Sequence, residues 1–267
     1  QGTRFRAKGA PVLNLKPAFD QPAAIESLEC DLIARFNKRH KAARPFHPRL
    51  DARIASYELA ARMQVEASDA LNLNQKTEAT KKMYGIGGKS TDSYARRCLI
   101  ARRLVERGVR FVQLFIDFQI WDNHTEIKKG LRGCCDKTDQ PVAALLKDLK
   151  QRGLLDQTLV VWGGEFGRLP ISQLPGDKNA GKAGRDHNKN AMVTWMAGGG
   201  TKGGVVHGAT DDIGLAAVED RVSIADWHAT ILHCLGLDHH KLVYNRNGLG
   251  ERLTSVFDAR VIKEIMK

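Results

Sequence analysis

The chain has 267 residues, 42% hydrophobic and 27% charged, and its 42 Lys and Arg against 30 Asp and Glu leave a net charge of +12. That length buries a substantial core, and the composition is ordinary for a globular protein rather than a disordered or collagen-like one. No apolar run approaches the roughly 18 residues a membrane span needs. In chain order, an irregular start bearing Pro11, Pro17 and Pro22 gives way to a helical pattern over residues 22–44, with Ile25, Leu28, Leu32, Ile33 and Phe36 on one face. Pro45 and Pro48 break it, and residues 51–65 follow with Ile54, Tyr57, Ala61 and Val65 on a second face. Residues 91–107 predict a third helix, with Cys98, Ala101, Leu104 and Val105 inward, arginines outward and Gly108 as its stop.

From residue 109 the pattern changes. Residues 109–116 are β-branched and aromatic and predict a buried strand. Residues 139–152 predict an amphipathic helix through Val142, Leu145, Leu146 and Leu149, closed by Gly153. Further strands are predicted over 158–162, 191–197 and, after the glycine-rich turn 198–204, over 205–207; a helix over 226–235 ends the series at Gly236. This strand–helix alternation predicts an α/β fold with a mostly parallel sheet covered by helices. Two regions are expected: a helical one over 1–108 packed on an α/β core over 109–267.

Four acidic–histidine clusters carry the chemistry, and two of them follow predicted strands, where ligands of an open α/β sheet collect. Asp122 and His124 supply an oxygen and a nitrogen suited to a divalent ion, or form a surface turn. Trp121 before them would wall the site and exclude water. Glu165 follows Gly163-Gly164, with Arg168 nearby as an anion clamp; the competing reading is a Glu165–arginine ion pair. Asp186 and His187 end a polar loop over 170–185, where Lys182 and Arg185 add positive charge. Asp226 is placed as a helix N-cap, and His228 is either a ligand or the partner of a neighbouring carboxylate. His233, His239 and His240 look like helix-end surface residues. There is no Walker loop, no Gly-x-Ser-x-Gly elbow and no His-Glu-x-x-His pair.

The positive charge favours polyanionic partners: phosphate or sulfate esters, acidic glycans, nucleic acid or an anionic surface. It is dispersed, as in Arg96, Arg97, Arg102, Arg103 and Arg107, which reads as a solvated cationic face. No stacking or groove-reading motif accompanies it, so nucleic acid ranks last among the partners. Cys30, Cys98 and Cys234 look like core, Cys134-Cys135 like buried or ordinary thiols, and the five cysteines imply no disulfide framework.

Several stretches resemble a known family: VVWGGEFGRLP over 160–170, GRDH over 184–187, WMAGGGTKGG over 195–204, DWHATIL over 226–232 and IASYELAARM over 54–63, with residues 97–115 and 121–124. They are similar to an uncharacterised, sulfatase-like bacterial family assigned to the alkaline phosphatase superfamily. The resemblance implies a three-layer α/β sandwich, export from the cytoplasm, and a divalent metal site (zinc, manganese or calcium) that hydrolyses anionic esters through a Ser, Thr or formylglycine nucleophile. Under it, Asp122 and His124 are one metal-binding pair, Glu165 replaces the Asp of an Asp-His pair, and His187 is the late histidine ligand. Phe166 stands where a second ligand histidine is common. Family members carry a further segment before the equivalent of Gln1, with a first strand, a metal-binding Asp and the nucleophile's place; the chain, which opens without Met, would then be a trimmed and catalytically incomplete piece.

The expectation is a metal-dependent hydrolase acting on a sulfate or phosphate ester of a small molecule or glycan. Its metal ligands are Asp122, His124, Glu165, Asp186, His187 and His228, and Glu165, Arg168 and Arg185 are its catalytic groups. The alternative is a non-catalytic binding protein for acidic polysaccharide.

Overall fold

The computed structural model describes residues 22–116, 118–173 and 182–267, and the side chains of residue 23, residues 59–69 and residue 173 are not described. The proline-bearing start, most of the polar loop after Gln173, and the inward roles expected of Ala61 and Val65 therefore lie outside the described residues.

Four helices form the first half and a fifth follows: α1 (Ala23–Ala42), α2 (Pro48–Leu71), α3 (Glu78–Tyr84), α4 (Asp92–Glu106) and α5 (Ile127–Gln151). Pro48 begins α2 rather than merely ending the helix before it, because a proline at the first helical position lacks only an N–H that would have no partner there. Thr77 caps α3 by accepting the Thr80 N–H, and Gly85 closes it at φ 82°. The principal core lies where the end of α2, α3, α4 and α5 meet, around Leu71, Tyr84, Leu99, Leu104, Leu145 and Leu149. The apolar stripe of α1 does not join it: Leu28, Leu32, Ile33 and Phe36 are exposed, as is Cys30.

The outward arginines expected on α4 are corrected for two positions. Arg102 and Arg103 are each only 1% exposed. Arg102 pairs with Asp148 of α5 at 3.0 Å, and Arg103 Nε donates to the Ala70 carbonyl at 2.6 Å, so two guanidiniums tie α4 to its neighbours from inside.

The mostly parallel sandwich is not formed. The described strands make four two-stranded antiparallel pairs: β1 (Val160–Trp162) with β4 (Trp195–Ala197), β2 (Gly167–Gln173) with β3 (Gly184–Asn188), β5 (Ala209–Thr210) with β6 (Ala217–Glu219), and β7 (Tyr244–Arg246) with β8 (Leu249–Glu251). Parallel neighbours need a crossover helix. Between β1 and β4 the described chain supplies the β2–β3 ladder instead, which returns it antiparallel. The segment 109–116 is extended yet joins no ladder among the described residues. Val112 and Leu114 pack on the helical core while Phe111 and Phe115 are 74% and 66% exposed, a period-two pattern with one dry face. Residues 205–207, expected as a strand, are not one.

The last helix, α6 (Ile224–Cys234), is capped by Ser223, with Asp226 at the third helical position completing a capping box rather than serving as the N-cap. It packs on Ala259 and Val261 in a second, smaller core. His239, expected at the surface, is buried. No described helix is long and apolar enough to cross a membrane.

Candidate metal centre

Two segments build the site. The first is the turn-rich loop after the extended segment, where the N–H groups of Asp122, Asn123 and His124 donate to the carbonyls of Gln119, Trp121 and Asp122 in succession. The second is β3. The two are joined by backbone bonds from Glu126 N–H to the Lys182 carbonyl (2.9 Å), Ile127 N–H to the Ala183 carbonyl (3.1 Å) and Arg185 N–H to the Asn123 carbonyl (3.0 Å). Gly184 makes this approach possible: a Cβ there would lie 2.0 Å from both the C and O atoms of His124. Within the hairpin, Arg168 of β2 is the cross-strand partner of His187 of β3, so both side chains leave the same face.

The result is a cluster centred on Asp122 Oδ1. His124 Nε2 lies 3.0 Å from it, His187 Nε2 3.1 Å and Arg168 Nη1 2.5 Å. The imidazoles are 4.9 Å apart between centroids, and Phe166 packs on His187 at 4.1 Å. The His187 and Arg168 hydrogen bonds hold the Asp122 carboxyl below its ordinary pKa, so it is a carboxylate at neutral pH. One ligand atom each from Asp122, His124 and His187 falls within 4.8 Å of the others, which makes these three a candidate metal triad; no ion is shown.

Other expected ligands fall around this triad or away from it. Asp186 Oδ1 stands 3.8 Å from Nδ1 of His124 and accepts the His187 backbone N–H at 2.7 Å, beside the triad rather than within it. Glu165 is largely exposed, and its Oε1 lies 3.8 Å from Arg168 Nη2, which is the loose ion pair weighed against a ligand role. Arg185 donates to the Ser172 hydroxyl and the Gly184 carbonyl, partners unrelated to Asp122. His228 is the fifth residue of α6, past its first turn, and is not part of the triad. That helix is held elsewhere, because Asp226 accepts the Arg260 N–H and the Ser223 N–H and hydroxyl.

A protein-family profile described as "Protein of unknown function (DUF1501)" matches residues 1–266. The chain belongs to this family. The match overturns the sulfatase-like assignment, since nothing ties it to sulfatases or to the alkaline phosphatase superfamily. No curated protein and no solved structure matches the chain. The member's functional reading therefore rests on its own residues. Sequence reasoning singled out Asp122, His124, Arg168 and His187 but passed over Gly184, whose role is backbone contact, and the ring of Trp162, which meets Trp121 beside Asp122.

Proposed function

We propose that Asp122, His124 and His187 bind one divalent cation, and that the chain uses this centre to hydrolyse a sulfate or phosphate ester. The observation that carries the reading is the convergence, from two distant segments, of two imidazole nitrogens and a carboxylate oxygen within 4.8 Å of one another. The contacts of 3.0 and 3.1 Å to Asp122 approach the edge of a tetrahedron, about 3.4 Å, expected around zinc with bonds of about 2.1 Å. Two nitrogens and one oxygen suit zinc or manganese better than calcium, which prefers an all-oxygen shell. Three protein ligands also leave a coordination position open, as catalytic rather than structural sites do.

The surrounding groups support the same reading. Asp186 lies toward Nδ1 of His124, where an outer carboxylate orients a ligating imidazole and fixes its tautomer. Arg168 brings a planar guanidinium to the cluster, suited to an anionic ester oxygen. A bound divalent ion supplies Lewis acidity toward that ester. Arg168 binds and orients the anion, Asp122 holds the charge balance of the cluster, and Phe166 packs on the His187 ring and orients it.

Thermal unfolding with and without zinc or manganese tests this. At a hundredfold excess over Kd, binding to the folded state alone adds about 2.7 kcal/mol, and at about 2–4 °C per kcal/mol for a chain of this size the midpoint rises by roughly 5–11 °C. Asp122→Ala and His187→Ala should each abolish the rise, and the metal-loaded chain should cleave 4-nitrophenyl sulfate or phosphate. An unchanged midpoint with every cation would overturn the proposal; cation binding without cleavage would remove its catalytic half.

A further inference from the structure

Three of the chain's four tryptophans form one surface beside the candidate metal triad. Trp162 and Trp195 are cross-strand partners on the β1–β4 pair, so both rings leave the same face of that ribbon. Their planes are within 7° of parallel with centroids 6.4 Å apart. Trp121 stands almost perpendicular to Trp162, at 82° and 6.5 Å, and is the residue immediately before Asp122. Two parallel rings and one upright ring make a corner, and the upright ring belongs to the residue that precedes the triad's Asp122. Core tryptophans are nearly covered, whereas Trp162 remains 40% exposed. A large apolar ring left partly in water on a ribbon of two strands, flanked by two half-buried ones, marks a surface that receives a ligand.

We infer that this corner is a sugar-binding subsite and that the ester cleaved at the triad is carried on an anionic carbohydrate. A pyranose ring has two apolar C–H faces and depth, so it lies on one indole while its flank meets the perpendicular one. A planar nucleobase would gain only the first contact. Indole also offers one N–H donor at the rim of a large apolar face, the combination that suits a ligand half apolar and half hydroxylated. The net charge of +12 and Arg168 beside Asp122 complement a sulfated or phosphorylated sugar. This inference rests on the proposed ester chemistry for its anionic group, and on the tryptophans alone for the sugar.

Titration of intrinsic tryptophan fluorescence with sulfated dextran oligosaccharides tests it, with unsulfated dextran, inorganic sulfate and oligothymidylate as comparators. The sulfated oligosaccharide should perturb the emission and bind more tightly than inorganic sulfate. Trp162→Ala should weaken that binding by about five- to tenfold, the worth of one aromatic contact, while leaving the zinc-induced thermal shift intact; Trp162→Phe should retain most of the affinity. Should Trp162→Ala fail to fold, Trp121→Ala reads the same corner. Unchanged sugar affinity in these variants, or tighter binding of oligothymidylate than of the sulfated sugar, would overturn the inference. Loss of the zinc shift by the wild type with Trp162-dependent sugar binding intact would sink the metal reading and leave the subsite standing.

Discussion

Asp148→Ala is expected to damage the helical core through its polar contacts rather than through lost apolar volume. Asp148 is 4% exposed and serves three partners: the Tyr84 hydroxyl donates to Oδ2 at 2.9 Å, Arg102 Nε lies 3.0 Å from the same oxygen, and Arg152 Nε donates to Oδ1 at 2.7 Å. Burial first and the Asp148 charge second push the Tyr84 hydroxyl far above its ordinary pKa, so it stays protonated and donates. Removing the carboxylate leaves the Arg102 charge, 1% exposed, with Glu106 as its remaining counter-charge, and leaves the tyrosine hydroxyl without an acceptor. Breaking a buried pair costs about 3–5 kcal/mol, and an unmet buried hydroxyl about 1–3 kcal/mol. These overlap, and Glu106 compensates in part, so we expect a loss of about 3–4 kcal/mol. Urea denaturation followed by circular dichroism would report it directly, and at about 2–4 °C per kcal/mol the thermal midpoint would fall by roughly 6–16 °C. Asp148→Asn, which still accepts from Tyr84, should fall between variant and wild type. A loss below about 1 kcal/mol for Asp148→Ala would refute the idea that this carboxylate neutralises Arg102.

Gly184→Ala places a Cβ 2.0 Å from the His124 carbonyl and 2.4 Å from the Thr125 nitrogen, backbone atoms that cannot swing aside. The two ligand-bearing segments must part, so the zinc-induced rise in melting temperature should drop by more than half, alongside an overpacking loss of about 1–3 kcal/mol; an undiminished rise would contradict this. Asp226 combines burial, which raises its pKa, with hydrogen bonds from Arg260 and Ser223 that outweigh it and lower the folded value. Its stabilisation is complete above the unfolded pKa of about 3.9 and is lost as the pH falls through the folded value. Asp226→Asn should cost about 1–2 kcal/mol at neutral pH and flatten the acid limb of the stability profile below about pH 4; a limb as steep as the wild type's would assign that titration elsewhere.

What the chain determined by itself is largely local. Helix α4 follows from Cys98, Ala101 and Leu104 recurring at helical spacing, and the C-terminal half of α5 from Leu145 and Leu149. The candidate ligands were legible because Asp122, His124 and His187 are polar, ionisable residues set beside extended apolar stretches. Strand direction was not legible. The runs over 109–116 and 158–162 read alike as buried parallel strands, but one keeps a wet face and joins no ladder among the described residues, while the other pairs antiparallel with β4. An apolar run records that a segment is extended and not which neighbour it meets, since pairing depends on backbone groups that every residue carries. Tertiary packing also decided which charges go inside. Arg102 and Arg107 look equivalent along the chain, yet only Arg102 faces Asp148, across a contact between helices 46 residues apart. It decided as well which acidic and histidine residues share a site. Glu165 and His228 carry the right chemistry, but Gly184 admits the backbone of His124, and that close approach selects Asp122, His124 and His187.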